Sequence, residues 1–177
     1  MVKLEINNQY RNKYIQNGVL IINEAEIITR LYCYENNILS IDLSNCVNLK
    51  ILDCCYNKIS SIDLSNCANL EYLYCSNNNI STIDLSNCAN LKILHCYHNN
   101  ISLINLSNCA CLRELGCYYN NISSMDLSRC VNLKILRCSR NKISSINLLN
   151  CVYLQEFNCI DNNISSIDLS NCMNLVI

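Results

Sequence analysis

From residue 28 onward, apolar side chains recur in a frame that advances by 21 residues. Seven units tile residues 28–48, 49–69, 70–90, 91–111, 112–132, 133–153 and 154–174. Positions 1, 4, 6, 11, 14, 16 and 19 of each unit are apolar in every copy. In the fourth unit these are Leu91, Leu94, Cys96, Ile101, Ile104, Leu106 and Cys109. The first half of a unit reads L-x-x-L-x-C-x-x-N-x and the second I-x-x-I-x-L-x-x-C-x-x. In both halves two apolar positions alternate with polar neighbours, the period-2 pattern of a short strand. No segment keeps a 3.6-residue stripe long enough for a helix. One unit cannot bury seven apolar side chains alone, but stacked units share a continuous narrow core. The pattern predicts a β-rich solenoid of seven coils, with a parallel sheet on one face and little or no helix. At about 4.8 Å per coil it would be a rod or shallow arc roughly 34 Å long.

Residues 1–27 fit the frame poorly. Leu20, Ile22 and Ala25 fall in phase with positions 14, 16 and 19, which suggests a degenerate half-coil over 18–27. Val2 to Ile6 alternates like a strand. The expected organisation is an N-terminal cap over 1–27 followed by the repeats. The chain stops three residues into an eighth unit, so end-to-end self-association or a longer array is expected.

The repeated L-x-x-L-x-C-x-x-N-x-I resembles the leucine-rich repeat signature, with Cys in place of the third Leu. The 21-residue period and the following I-D-L resemble the short subclass sometimes called IRREKO-type. The resemblance covers residues 28–174 and implies a protein-binding module whose first strand lines a concave, ligand-binding face. The second half is itself strand-like, so the convex helix of many members is expected to be missing.

Composition narrows the function classes. Thirteen Lys+Arg against 14 Asp+Glu leave a net charge of -1, which argues against a broad grip on nucleic acid or anionic lipid. No apolar run exceeds four residues, so neither a membrane span nor a signal-peptide core is expected. Sixteen cysteines would suggest a disulfide scaffold if they were not so regularly placed. Fourteen of them form two columns, at positions 6 and 19, each advancing by 21 residues. At inward positions a free Cys packs as a small hydrophobe. Disulfides would have to pair neighbours within a column of seven, an odd number, and no Cys-x-x-Cys pair supports zinc. Reduced, buried thiols in a reducing cytoplasm are the expectation, with neither metal nor cofactor. Cys55, outward at position 7, is expected to react first.

Two polar columns also repeat. Position 9 is Asn in all seven units (Asn36 to Asn162), suited to satisfying backbone groups of its own and the next coil. Position 15 is Asp at 42, 63, 84, 126 and 168 and Asn at 105 and 147. With flanking Ser it forms a uniform polar face, for which cation or ordered-water binding is the alternative function to a solvated edge.

Positions 3, 5, 7 and 8 of the first strand vary from unit to unit, and variation marks what a scaffold displays. They hold eight of the 11 tyrosines and both histidines. The centre of this set, Tyr72, Tyr74, His95, Tyr97, His98, Tyr118, Tyr119, Arg137 and Arg140, is the expected partner-binding strip, aromatic and cationic, with a notch at Gly116. Tyr and Arg predominate at interface hot spots, although Tyr also fills exposed strands. Catalysis has little to rest on. His95 and His98 flank Cys96, but alternation aims Cys96 inward and His95 outward, and no nucleophile–base set, Gly-rich loop or carboxylate pair is identifiable.

Overall fold

A computed structural model describes residues 2–7, 10–22 and 25–176. The chain opens with β1 (Val2–Glu5), a single helical turn α1 (Arg11–Tyr14), β2 (Ile15–Gln16) and β3 (Val19–Leu20). After a 3-10 turn over Ala25–Ile27 come β4 (Ile28–Tyr32), β5 (Ser40–Ile41), β6 (Ile51–Asp53) and β7 (Tyr72–Tyr74). Then follow β8 (Thr82–Asp84), β9 (Ile93–His95), β10 (Leu103–Asn105), β11 (Glu114–Gly116), β12 (Ile135–Arg137) and β13 (Glu156–Asn158).

Eight of these strands form one parallel sheet in the order β1-β4-β6-β7-β9-β11-β12-β13. From β4 onward the register steps by 21 residues, Leu52 against Leu73 and Leu94 against Leu115. The ladder runs past the strand ends, with Cys54 N–H donating to Tyr74 O at 2.8 Å and Cys96 N–H to Gly116 O at 2.8 Å. The solenoid expected from the period is the fold observed.

The second half of each coil departs from expectation. Only β8 and β10 pair there among the repeats, joined at the N-terminal end by β3 against β5. Elsewhere it is built from tight turns: Cys67 N–H donates to Leu64 O at 2.9 Å and Leu70 N–H to Cys67 O at 3.0 Å, a pair that repeats along the chain. An Asx turn at position 15 is common to unpaired and paired coils: Asp63 Oδ1 accepts the Ser65 N–H at 2.9 Å, and Asp84 Oδ1 the Ser86 N–H at 3.0 Å. At position 14, Ile83, Ile104 and Met125 are buried, while Ile41, Ile62 and Ile146 are half-buried.

At the N-terminal end β1 lies parallel to β4, Leu4 opposite Leu31, and Leu20 sits opposite Ile41 in the position-14 frame. Ile6, Tyr14, Leu20 and Ala25 join the core. No helix among the described residues is long and apolar enough to cross a membrane.

The core is columnar, each inward position a stack of identical or near-identical residues. All seven position-19 cysteines are buried, as are six of the seven at position 6; Cys159 in the last coil is half-buried. Burial pushes these thiols up, to about 12 for Cys67, Cys109, Cys130 and Cys138 and about 11 for Cys46, Cys88 and Cys151. Protonated thiols are poor nucleophiles.

The position-9 asparagines tie coil to coil. Asn99 Nδ2 donates to Cys96 O of its own coil at 3.1 Å and to Cys75 O of the preceding one at 3.0 Å. Its Oδ1 accepts from Ile80 N–H at 2.9 Å. The neighbour it serves is therefore the preceding coil, not the following one. A second Asn ladder runs along the outside: Asn48, Asn69, Asn90 and Asn132 each donate to a carbonyl 22 residues back. Cys111 occupies that position in the fourth unit, and Asn108 makes a corresponding bond to Ser86 O at 3.0 Å.

Candidate functional site

Positions 3 and 5 face outward on each side of a buried position 4, so β6, β7, β9, β11 and β12 present their variable residues on one surface. Position 8 adds a constraint that the sequence pattern hid. Glu35, Tyr56, Asn77, His98, Tyr119, Arg140 and Asp161 all have φ between 53° and 57°, the left-handed region that side-chain-bearing residues avoid. The turn is over-determined by its neighbours, since the residue that follows is the inward asparagine of the ladder. The bulky side chains at position 8 are consequently thrust outward in a column, with Tyr56 55% exposed and Tyr119 39% exposed.

The strip separates into two linked parts. Tyr97 and Tyr118 stack with centroids 4.5 Å apart, and His98 and Tyr119 stack at 4.2 Å. Edge contacts between Tyr97 and His98 (6.0 Å), His98 and Tyr118 (5.9 Å), and Tyr118 and Tyr119 (6.0 Å) close the four rings into one cluster. Arg140 caps it, its guanidinium 4.5 Å from the Tyr119 ring centre and hydrogen-bonded to the Tyr119 hydroxyl. Tyr74 reaches His95 edge-on at 5.3 Å, and His95 lies 6.1 Å from Tyr97. Tyr72 sits at the margin, with Lys92 Nζ 5.9 Å from its ring.

The second part is ionic and corrects the expected cationic character. Arg137 donates bidentately to Glu156, Nε to Oε1 at 2.6 Å and Nη2 to Oε2 at 2.8 Å, and reaches Glu114 Oε1 through Nη1 at 3.0 Å. His95 Nε2 meets the same Glu114 oxygen at 2.9 Å. Arg140 pairs with Asp161 at 3.2 Å, with both partners more than half exposed, so the pair adds under about 1 kcal/mol. Both arginines are thus neutralised within the sheet. Glu114 and Glu156 were missed as members of the site; their opposite charge one coil from Arg137 was the available signal.

Three further expectations change. The Gly116 notch is closed: a Cβ there would meet the His95 ring at 3.3 Å, and Gly116 is buried. Ser76, at the nominally outward position 7, is fully buried. Cys55 is only half-buried, and desolvation together with Asp53 pushes its thiol up to about 12, whereas Cys111 is exposed. The first thiol to react is therefore Cys111.

On the opposite side, the position-15 carboxylates sit in Asx turns. The Ser N–H two residues on, aided by its hydroxyl, holds Asp63, Asp84, Asp126 and Asp168 below the ordinary carboxylate range. Asn105 Nδ2 donates to Asp84 Oδ1 at 2.9 Å, which relieves carboxylate stacking as expected of the Asn interruptions. Among the described residues no three His, Cys, Asp or Glu side chains converge on a metal position. Cys96 is buried while His95 is turned to Glu114, so no thiolate–imidazole pair forms.

The comparisons with known proteins agree with this architecture. A family model described as leucine-rich repeats (two copies) matches residues 68–109. The functional domain of InlJ from Listeria monocytogenes, described as including a cysteine ladder, superposes with a TM-score of 0.84 at 28% identity. That match covers 87% of this chain and 35% of InlJ's, so the chain spans about a third of that protein. Internalin C2 from the same species gives a TM-score of 0.62 at 26% identity, covering 86% of this chain and 80% of its own. A chain of the Toll–Spätzle complex of Drosophila shares the fold, with a TM-score of 0.70 at 21% identity over 86% of this chain and 26% of its own. No curated protein sequence matches this one. Residues 68–109 are matched as leucine-rich repeats, and the chain as a whole folds as a solenoid of coils at a 21-residue period, the fold it shares with these leucine-rich repeat structures.

Proposed function

We propose that this chain is a non-enzymatic protein-interaction module that engages its partner through the variable face of the parallel sheet. The observation that carries the reading is the joined ring cluster of Tyr97, His98, Tyr118 and Tyr119. Aromatic side chains already held by one another lose little freedom on binding, the property of interface anchors. Tyr72, Tyr74, His95, Arg137 and Arg140 surround the cluster. The fold shared with a chain of the Toll–Spätzle complex adds weight to a protein partner. A reducing, intracellular location accompanies the proposal, because both cysteine columns pack as apolar groups.

The test is capture of partners from cell lysate by the intact chain and by a variant carrying Tyr97→Ala and Tyr118→Ala. Loss of about 2 kcal/mol or more per anchor is expected. Ser86→Ala with Ser107→Ala, on the other face, should leave capture unchanged. Equal loss from both pairs would overturn the reading and favour the alternative, a structural solenoid whose Ser-Asp-Ser face binds cations or ordered water.

End-to-end self-association is a second proposal. β13 is an outer strand of the sheet, and Phe157 and Cys159 are half-buried where Leu136 and Cys138 one coil earlier are fully buried. Sedimentation over a wide concentration range tests it; a constant monomer mass would refute it.

A further inference from the structure

Beside the aromatic strip, along the entry edge of the same sheet, runs a groove of about 230 Å³. Its apolar floor is Ile93, Ile135 and Tyr72, and its rim is Lys92, Arg113 and Lys134, the position-2 residues of three successive coils. The rim cations differ in kind. Lys92 is held by Glu71 at 2.6 Å, and the same carboxylate binds Lys50 at 3.2 Å. Arg113 and Lys134 are exposed and form no ion pair among the described residues. Glu114, the acidic residue nearest in sequence, has its Oε1 committed to His95 and Arg137. Two adjacent coils therefore present uncompensated positive charge above an aliphatic floor, on a protein whose net charge is -1.

We infer that this groove docks an acidic peptide segment of the partner, one with an aliphatic side chain beside a carboxylate. The aliphatic group seats between Ile93 and Ile135, and the carboxylate bridges Arg113 and Lys134, which lie about one strand spacing apart, ~4.8 Å. Protein is favoured over nucleic acid by the length of the cationic track. Glu71 separates it from Lys50 and Gln155 follows it in the same column, so the run of cations is only three successive coils long, and Lys92 within it, like Lys50 beyond it, is already paired with Glu71. A phosphate backbone requires a longer run of free charge. The inference rests on the variable face being the partner surface, and it names the chemistry that the face reads.

The test begins with a phage-displayed library of random linear peptides selected on the intact chain. Enriched sequences should place Asp or Glu next to Leu, Ile or Val. A fluorescent synthetic peptide of the enriched sequence should bind at least tenfold more weakly to Arg113→Glu/Lys134→Glu than to the unaltered chain. Lys58→Glu/Lys142→Glu, which makes the same net charge change at exposed sites elsewhere in the coils, should alter binding less than twofold. Unfolding midpoints confirm that both variants fold. Absence of acidic enrichment overturns the inference, as does binding that survives the Arg113/Lys134 reversal. If the reversal is silent while Tyr97→Ala/Tyr118→Ala abolishes peptide binding, the variable-face reading stands and the acidic-groove inference falls. A duplex oligonucleotide that binds the groove more tightly than the peptide would also overturn it.

Discussion

Tyr97 and Tyr118, one coil apart, lie with their ring planes 8° from parallel and their centroids 4.5 Å apart. Burial and this contact with its neighbours raise the Tyr118 hydroxyl above the ordinary tyrosine range. The stack makes each ring a support for the other as well as a surface for a partner. Replacing both by Ala should cost folding about 1 kcal/mol beyond lost area, within the range of aromatic pairs. Urea denaturation of the two single variants and the double variant measures it. A coupling energy of zero would mean that the rings merely coincide.

Asn99 tests the inner ladder. Its amide bonds to Cys75 O, Cys96 O and Tyr97 O, and its Oδ1 takes the Ile80 N–H. Asn99→Ala leaves buried backbone groups without partners, each worth about 1–3 kcal/mol. Destabilisation should match or exceed that of Leu94→Ala, expected at about 2–5 kcal/mol for a fully buried side chain. Asn99→Asp should be no better, because it sets carboxylate oxygen against carbonyl oxygens. Shifts in urea midpoint at constant slope are the measure.

Thiol labelling should be sharply ordered. Cys111 reacts first, Cys55 and Cys159 follow, and the 13 buried cysteines react only on unfolding. Timed alkylation followed by peptide mass analysis reads the order. Intact mass without reductant should show 16 free thiols; a loss of several hydrogen pairs would establish disulfides and remove the support for a reducing location.

Stability should fall in alkaline solution. The buried thiols hold their protons in the fold, with values near 11 to 12, while in the unfolded chain they release them near 9. Between those values the unfolded state binds fewer protons, so unfolding becomes easier as pH rises. The contribution is complete below about pH 9 and is lost through about pH 12. Urea midpoints from pH 7 to 10.5 should be flat and then drop. Cys67→Ala with Cys109→Ala should make the drop shallower.

The interior of this protein was legible from the sequence because a repeat gives each inward position the same neighbours in every coil. Leu94 beneath Leu115 and Cys88 beside Cys109 follow once the 21-residue period is laid out, while the direction in which Asn99 reaches, to the preceding coil, came from the stacked structure. The bland column at position 15 was less transparent. Alternation suggested a second full sheet, but among the repeats only β8 and β10 pair there, and the rest of that face is turns in which each position-15 side chain holds a backbone N–H two residues on. Outward residues depended on the tertiary structure most of all. Arg137 appeared to supply free charge, but Glu114 and Glu156 approach from the coils on either side. Gly116 promised a notch until the His95 ring lay across it. The left-handed turn at position 8, adopted by Tyr, His and Arg alike, carries no signature in residue type, because the asparagine beside it and the stacked coils hold it there. A period specifies what every coil shares; which side chains meet across the coils is decided only when they are stacked a few ångströms apart.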